Sequence, residues 1–156
     1  MIDLKAHLKG FTEQACHFLI RDLAATADDQ VNQGPGGDAR TAAHIIAECA
    51  LTNGAIAAYV RGEEIKRLPP DERKAHLASF DTKEKALLYL TEQTDLLLAA
   101  IEAADPDWLC EIDEGFFGKP QTRFSIAEFP AIHMMYHDGQ LNYIHTLHGD
   151  TKIHWW

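Results

Sequence analysis

Ser125-Ile126-Ala127-Glu128-Phe129-Pro130-Ala131-Ile132-His133-Met134-Met135-Tyr136-His137-Asp138-Gly139-Gln140-Leu141 opens the last patterned segment of the chain, and its reading decides the fold. Ser125 and Glu128 stand three apart, the spacing of a capping box at a helix N-terminus. Phe129, His133, His137, Leu141 and Ile144 then recur every three or four residues, which places them on one face of a helix. That helix is expected to run to about Leu147 and to stop at Gly149. Pro130 lies just past its first turn, where it removes one backbone donor and is expected to bend the helix start.

Three earlier segments carry the same period. In the first, from about Leu4 to Ala25, Leu4, Leu8, Phe11, Ala15 and Phe18 align. Gly34-Pro35-Gly36-Gly37 ends any helical continuation. A second helix is expected from about Arg40 to Arg61, with Gly62 as its stop, rich in Ala and weakened only locally by Gly54. The stretch from Glu63 to Phe80, with Pro69-Pro70, reads as a connection that holds a short helix near Asp71–Leu77. The third long helix opens at Asp81-Thr82-Lys83-Glu84, with Asp81 as its N-cap acid and Glu84 three places later, and runs through Leu87, Leu90, Leu97 and Ile101 to a stop before Asp105-Pro106. A last connection, Trp108 to Arg123, places Phe116-Phe117 in a small hairpin or over the mouth of the helices. No alternating strand pattern of useful length occurs. Four amphipathic helices of roughly 20 residues make an all-α four-helix bundle the natural solution, one domain over residues 1–156.

Composition narrows the function classes. The 156 residues are 46% hydrophobic and 24% charged, which is globular rather than disordered. The formal net charge is −10 and the 14 basic residues are scattered, which argues against a nucleic-acid partner. No run approaches the roughly 20 apolar residues that span a bilayer, so no membrane role is expected. The N-terminus lacks a basic head followed by an apolar segment. The three cysteines, Cys16, Cys49 and Cys110, form no C-x-x-C pair, and reduced thiols in a cytoplasmic protein are expected. Self-association as a homodimer is expected because bundles pair through exposed apolar helix faces.

The candidate chemistry lies on the last and second helices. His133 and His137, four apart on an apolar stripe, can hold one transition-metal ion in a bundle core. Nine histidines give roughly 0.5 such pairs by chance, so the spacing also fits two hydrogen-bonded core histidines. His44 and Glu48, again four apart, lead into Leu51, Ala55 and Ala58 at core spacing. An ionisable pair on an inward stripe is costly unless a cation compensates it. The stripe Ile45, Cys49, Ile56, Val60 is equally apolar, and periodicity does not separate the two faces. Cys49 stands about 100° round the helix from Glu48 and reads as a packing thiol. Gln140, Tyr136 and Asn142 are placed to orient ligands by hydrogen bonds, or to serve as ordinary filler. His145 and His148 near the helix end suit cations that favour the helix dipole. Trp155-Trp156 is expected to pack into a groove or a dimer contact.

His133-Met134-Met135-Tyr136-His137-Asp138-Gly139-Gln140 resembles the H-x-x-x-H-x-G-Q signature in the last helix of the DinB-like superfamily of bacterial four-helix bundles. The Gly-rich loop, Arg40-Thr41 at the opening of helix two, and Asn53 extend the likeness over most of the chain. The resemblance implies a divalent metal, nickel, zinc or iron, on three histidines, two of which match His133 and His137. The third is expected seven residues after Thr41, where this chain has Glu48. Glu48 then replaces it, His44 supplies the nitrogen one turn earlier, or the metal has been lost. The family's chemistry implies a transferase in which the metal holds a low-molecular-weight thiol as thiolate for attack on a small electrophile. Arg40, Lys119 and Arg123 are candidates to receive the thiol's carboxylates. The alternative is a non-catalytic, stress-associated bundle with a structural or lost metal site.

Overall fold

The computed structural model describes residues 3–156. Four long helices form the bundle: α1 (Leu4–Ala25), α2 (Ala42–Val60), α4 (Lys83–Ala103) and α6 (Arg123–Leu147). Two short helices, α3 (Pro70–Ala78) and α5 (Pro106–Cys110), occupy the connections. A two-stranded antiparallel hairpin, β1 (Ile112–Asp113) with β2 (Gln121–Thr122), leads into α6. Phe116 and Phe117 lie in its turn, so the hairpin and the cover expected of these residues are the same element.

Each long helix starts where a side chain satisfies an orphan N–H. Asp3 accepts from Ala6, Thr41 from His44, Thr82 from Lys85 and Thr122 from Ser125. Two of these differ from the sequence expectation. Helix α4 is capped by Thr82 and not Asp81, whose carboxylate takes Lys85 Nζ at 2.6 Å instead. Helix α6 begins at Arg123, so Ser125 donates into the cap of Thr122 and is not itself the cap. The hairpin strand delivers Thr122 directly to the helix start, which extends α6 by one turn. Pro130 is buried inside the continuous helix.

Helix α2 is central. It packs mainly on α4 and also on α6, while α1 packs mainly on α6. Its long apolar run meets the length and hydropathy of a membrane span, contrary to the sequence expectation, and more than half of that run is buried inside the bundle. Buried on most sides, α2 presents the His44/Glu48 face and the Ile45/Cys49 face to different neighbours.

The apolar core falls into two halves. One gathers around Leu19, Ile46, Cys49, Leu90, Met134 and Leu141, the other around Leu8, Ile56, Leu97, Ile101, Leu109 and Ile126. Between them α1, α2 and α4 contribute the buried polar residues Thr12, Asn53 and Thr94. Asn53 donates to Thr94 Oγ1 at 2.9 Å and reaches Met134 Sδ at 3.5 Å. The Asn53–Thr94 bond ties α2 to α4 at one register, because a one-turn slip would strand its donor.

The C-terminal residues fold back on α1. Trp155 stacks on Phe18 with centroids 4.4 Å apart, and Arg21 donates to the carbonyls of His154 and Trp156. The Trp155 indole N–H points at two buried carboxyls, Asp22 Oδ2 at 3.3 Å and Asp138 Oδ2 at 3.1 Å. Asn142 donates to the same two oxygens. Burial, then the adjoining Asp22, pushes the Asp138 carboxyl up to about 8, so the pair holds one proton at neutral pH. His145 is buried rather than a cationic cap. Its Nε2 meets Thr26 Oγ1 at 2.9 Å, and burial pushes its titration down.

Candidate metal centre

Helix α6 projects His133 and His137 toward α2, one turn apart on the same face. Their Nε2 atoms stand 3.1 Å apart, with the rings nearly perpendicular. Phe129, one turn earlier, stacks on His133 and walls it from above. Gln140 Nε2 donates to Tyr136 Oη at 3.1 Å, which turns its Oε1 toward His137 Nδ1 at 2.8 Å. The proton of His137 therefore sits on Nδ1, and its Nε2 lone pair faces the Nε2 of His133. This is the arrangement that orients a ligating histidine.

The histidines are neutral. Burial, then the neighbouring His137, brings His133 down to about 4. Burial also lowers His137, partly opposed by its bond to Gln140. His133 Nδ1 is buried without a hydrogen-bond partner.

The third donor within reach is Cys49. Its Sγ and one nitrogen from each histidine all lie within 4.8 Å of one another. Burial, and then the adjacent Glu48, pushes the Cys49 thiol well above its usual value, so without a metal it stays protonated. The spacing argument missed it because a 100° offset excludes a residue only when one face of the helix looks inward. On a helix enclosed by α4 and α6, the offset brings Cys49 inward as well. Nothing in the sequence marked it beyond its place on the second apolar stripe.

Glu48 is nearly buried, yet its charge is already met. Arg40 Nε approaches Oε2 at 2.6 Å and Arg73 donates to Oε1 at 3.0 Å. Arg73 comes from the short helix α3, which the sequence located without indicating where it points. His44 sits half-buried at the start of α2, with burial lowering its titration. Neither His44 nor Glu48 belongs to the group of three donors formed by Cys49, His133 and His137. Of the two other cations considered for a thiol's carboxylates, Arg123 is spent on Glu111 at 2.6 Å and on the Trp108 ring. Lys119 is exposed on the hairpin.

These residues fit a transition-metal ion. Two nitrogens bound at about 2.0–2.1 Å in right-angled to tetrahedral geometry stand roughly 2.9–3.4 Å apart, and the observed separation is 3.1 Å. The donor set of two imidazoles with a thiol or carboxylate suits zinc, nickel or iron.

Two pockets flank the centre. An apolar one of about 350 Å³ is walled by Leu51, Ala55, Phe117 and Phe129, with Arg73 at its edge. A second, of about 480 Å³, lies on the other side of Arg40, against Tyr136, Gln140 and Tyr143.

Solved structures with this arrangement of helices are distant in sequence. A conserved protein from Enterococcus faecalis superposes with a TM-score of 0.79 at 13% identity, covering 96% of this chain and 100% of that one. A mycothiol-dependent maleylpyruvate isomerase gives 0.72 at 14% identity over 90% of this chain, which spans 63% of the isomerase. The colibactin self-resistance protein ClbS, solved in complex with a dsDNA, gives 0.67 at 18% identity over 91% of this chain and 95% of that one. No curated protein matches the sequence. The model of the DinB superfamily matches residues 10–141, from within α1 to Leu141 in α6 and including both histidines, and the chain belongs to that superfamily.

Proposed function

We propose that the chain is a metal-dependent transferase that joins a low-molecular-weight thiol to a small electrophile, with His133 and His137 as the metal's nitrogen ligands. The observation that carries the reading is the pair of Nε2 atoms 3.1 Å apart, one lone pair fixed by Gln140, beside an open apolar pocket. Cys49 or Glu48 completes the set from α2, and His44 stands one turn away. A bound zinc, nickel or ferrous ion would supply Lewis acidity and hold a thiol as thiolate. The protein's own groups do the rest. Gln140 and Tyr136 hold the His137 tautomer, Phe129 and Leu51 keep bulk water from the histidines, and Arg73 and Arg40 set the charge at the mouth. With net charge −10, these local cations are what would admit an anionic cosubstrate. The same net charge speaks against DNA as the ligand, although ClbS was solved with it.

The arginine pair on Glu48 favours a second reading. Two guanidinium groups already provide the positive charge that a buried carboxylate needs, as expected if the metal has been lost and a non-catalytic bundle remains. Metal content of untagged protein, with His137→Ala as the control, decides between them. Near-stoichiometric zinc, nickel or iron that disappears in the variant supports the transferase and directs thiol-transfer assays. Protein that stays metal-free after incubation with these ions leaves the second reading.

A homodimer is part of the proposal. Between Glu128 and Asp150, α6 exposes no charged side chain, Asp138 being buried. It exposes Ile132, Tyr136, Gly139, Tyr143 and Leu147, a stripe about 22 Å long at 1.5 Å per residue. The stripe is symmetric about the Gly139–Gln140 bond. An antiparallel copy of α6 would set Ile132 against Leu147 and Tyr136 against Tyr143 in both directions, which a two-fold interface requires.

A further inference from the structure

The apolar pocket says more about its ligand than the centre does. Its wall is formed by Leu51, Ala55, Ile65, Phe116, Phe117 and Phe129. The polar wall residue Thr52 donates its hydroxyl to the Glu48 carbonyl at 3.0 Å, so it offers no free donor inward. Polar recognition must therefore come from the edge, where Lys66, Arg67 and Arg73 stand. Arg73 is engaged with Glu48, whereas Lys66 and Arg67 make no ion pair among the described residues. Two adjacent free cations at the lip of an apolar cavity are a selective feature on a surface that is otherwise strongly acidic. The size, about 350 Å³, lies at the small end of ligand pockets.

We infer that this pocket binds a monocarboxylate with an apolar aromatic or acyl body, the carboxylate at Lys66 and Arg67 and the body against Phe117 and Phe129. Phe129, which stacks on His133, stands between the pocket and the histidine pair, so the buried end of the ligand lies one ring away from the centre. As the electrophile's class, the inference rests on the transferase reading; as a binding site, it does not require the metal.

The test is calorimetric titration of the full chain, metal-free and zinc-loaded, with trans-cinnamate and octanoate against their neutral amides. Exposed cations contribute modestly, so each carboxylate should bind about three- to tenfold tighter than its amide, and the preference should shrink with added salt. Lys66→Gln with Arg67→Gln should abolish the preference and leave the amides unchanged, while Phe117→Ala should weaken acid and amide alike. Equal binding of acid and amide, a preference that survives the double glutamine variant, or no binding of either overturns the inference. Carboxylate binding confined to zinc-loaded protein and lost in His137→Ala also overturns it, since the metal is then the receptor. Binding to protein that never takes up metal upholds the pocket and removes only the transferase reading.

Discussion

Replacing Asp138 by Asn should stabilise the protein at neutral pH and flatten its pH dependence. In the native state Asp22 and Asp138 share a proton, with the Asp138 carboxyl raised to about 8 by burial and by Asp22. In the unfolded chain both carboxyls release their protons near pH 4. A group whose folded value is raised contributes stability that is fully present below the unfolded value and is lost as pH rises through the folded one, here from about 4 to about 8. Each pH unit in that window costs roughly 1.4 kcal/mol, so near pH 7 the ceiling is about 4 kcal/mol. Asn is isosteric with the protonated acid. Its oxygen accepts from Trp155 and Asn142, and its amide donates to Asp22, so no partner is lost. Allowing for relaxation around a shared proton, Asp138→Asn should raise unfolding free energy by about 1–3 kcal/mol at pH 7.5 and by little at pH 4.5. Urea titrations of both proteins across that range measure the difference, and groups common to both cancel. Parallel pH profiles for the two proteins would refute the shared proton.

Four further outcomes can be checked independently. Glu48→Gln should destabilise by about 1–2 kcal/mol in urea, less than a fully buried pair, because half-exposed Arg40 and Arg73 can rehydrate. Gln140→Leu should keep the fold and weaken zinc binding about ten- to hundredfold in chelator competition, since the His137 tautomer is no longer held; unchanged affinity would mean the bond has no such role. Gly54→Ala should be neutral to stabilising by up to about 1 kcal/mol in thermal melts, the gain in helix propensity being opposed only by the movable amide end of Gln93. Tyr136→Arg with Tyr143→Arg should halve the mass seen by sedimentation at micromolar protein, whereas an unaltered dimer would place the interface off α6.

The helices were legible in the chain because their signals are local: periodic apolar residues, Gly and Pro breaks, and hydroxyl caps. The boundaries moved where a neighbouring element decided the matter. Thr122 caps α6 because the hairpin presents it, and hydrogen-bond competition with Lys85 passes the α4 cap from Asp81 to Thr82. At the centre, the spacing of His133 and His137 brought their Nε2 atoms together, since residues four apart on a helix face the same way. For α2 the periodicity allowed two inward faces, and only packing shows that both Glu48 and Cys49 are buried. Arg73 and the Asp22–Asp138 pair were beyond reach for the same reason. Each is made by residues more than 20 positions apart, and no local pattern records which helices will touch.

That non-local pairing bears on how a metal could be held. Glu48 with Arg40 and Arg73 carries a net charge of +1, the buried Cys49 is a neutral thiol, and both histidines are neutral. Adding a divalent cation to this arrangement would raise the local charge to +3 in a part-buried site, which is costly unless anions accompany it. Three sources are at hand: ionisation of Cys49 on the metal, release of Glu48 by an arginine that turns into solvent, or arrival of an external thiolate. The first two come from the protein and would make metal affinity rise with pH and with loss of Arg73. The third would tie metal retention to the thiol itself, so that the ion binds tightly only when the cosubstrate is present. Zinc affinity measured with and without a small thiol, in the wild type and in Arg73→Gln, separates these sources. A thiol-dependent gain in the wild type that shrinks in the variant is expected if the arginines keep the centre electropositive until an anion fills it.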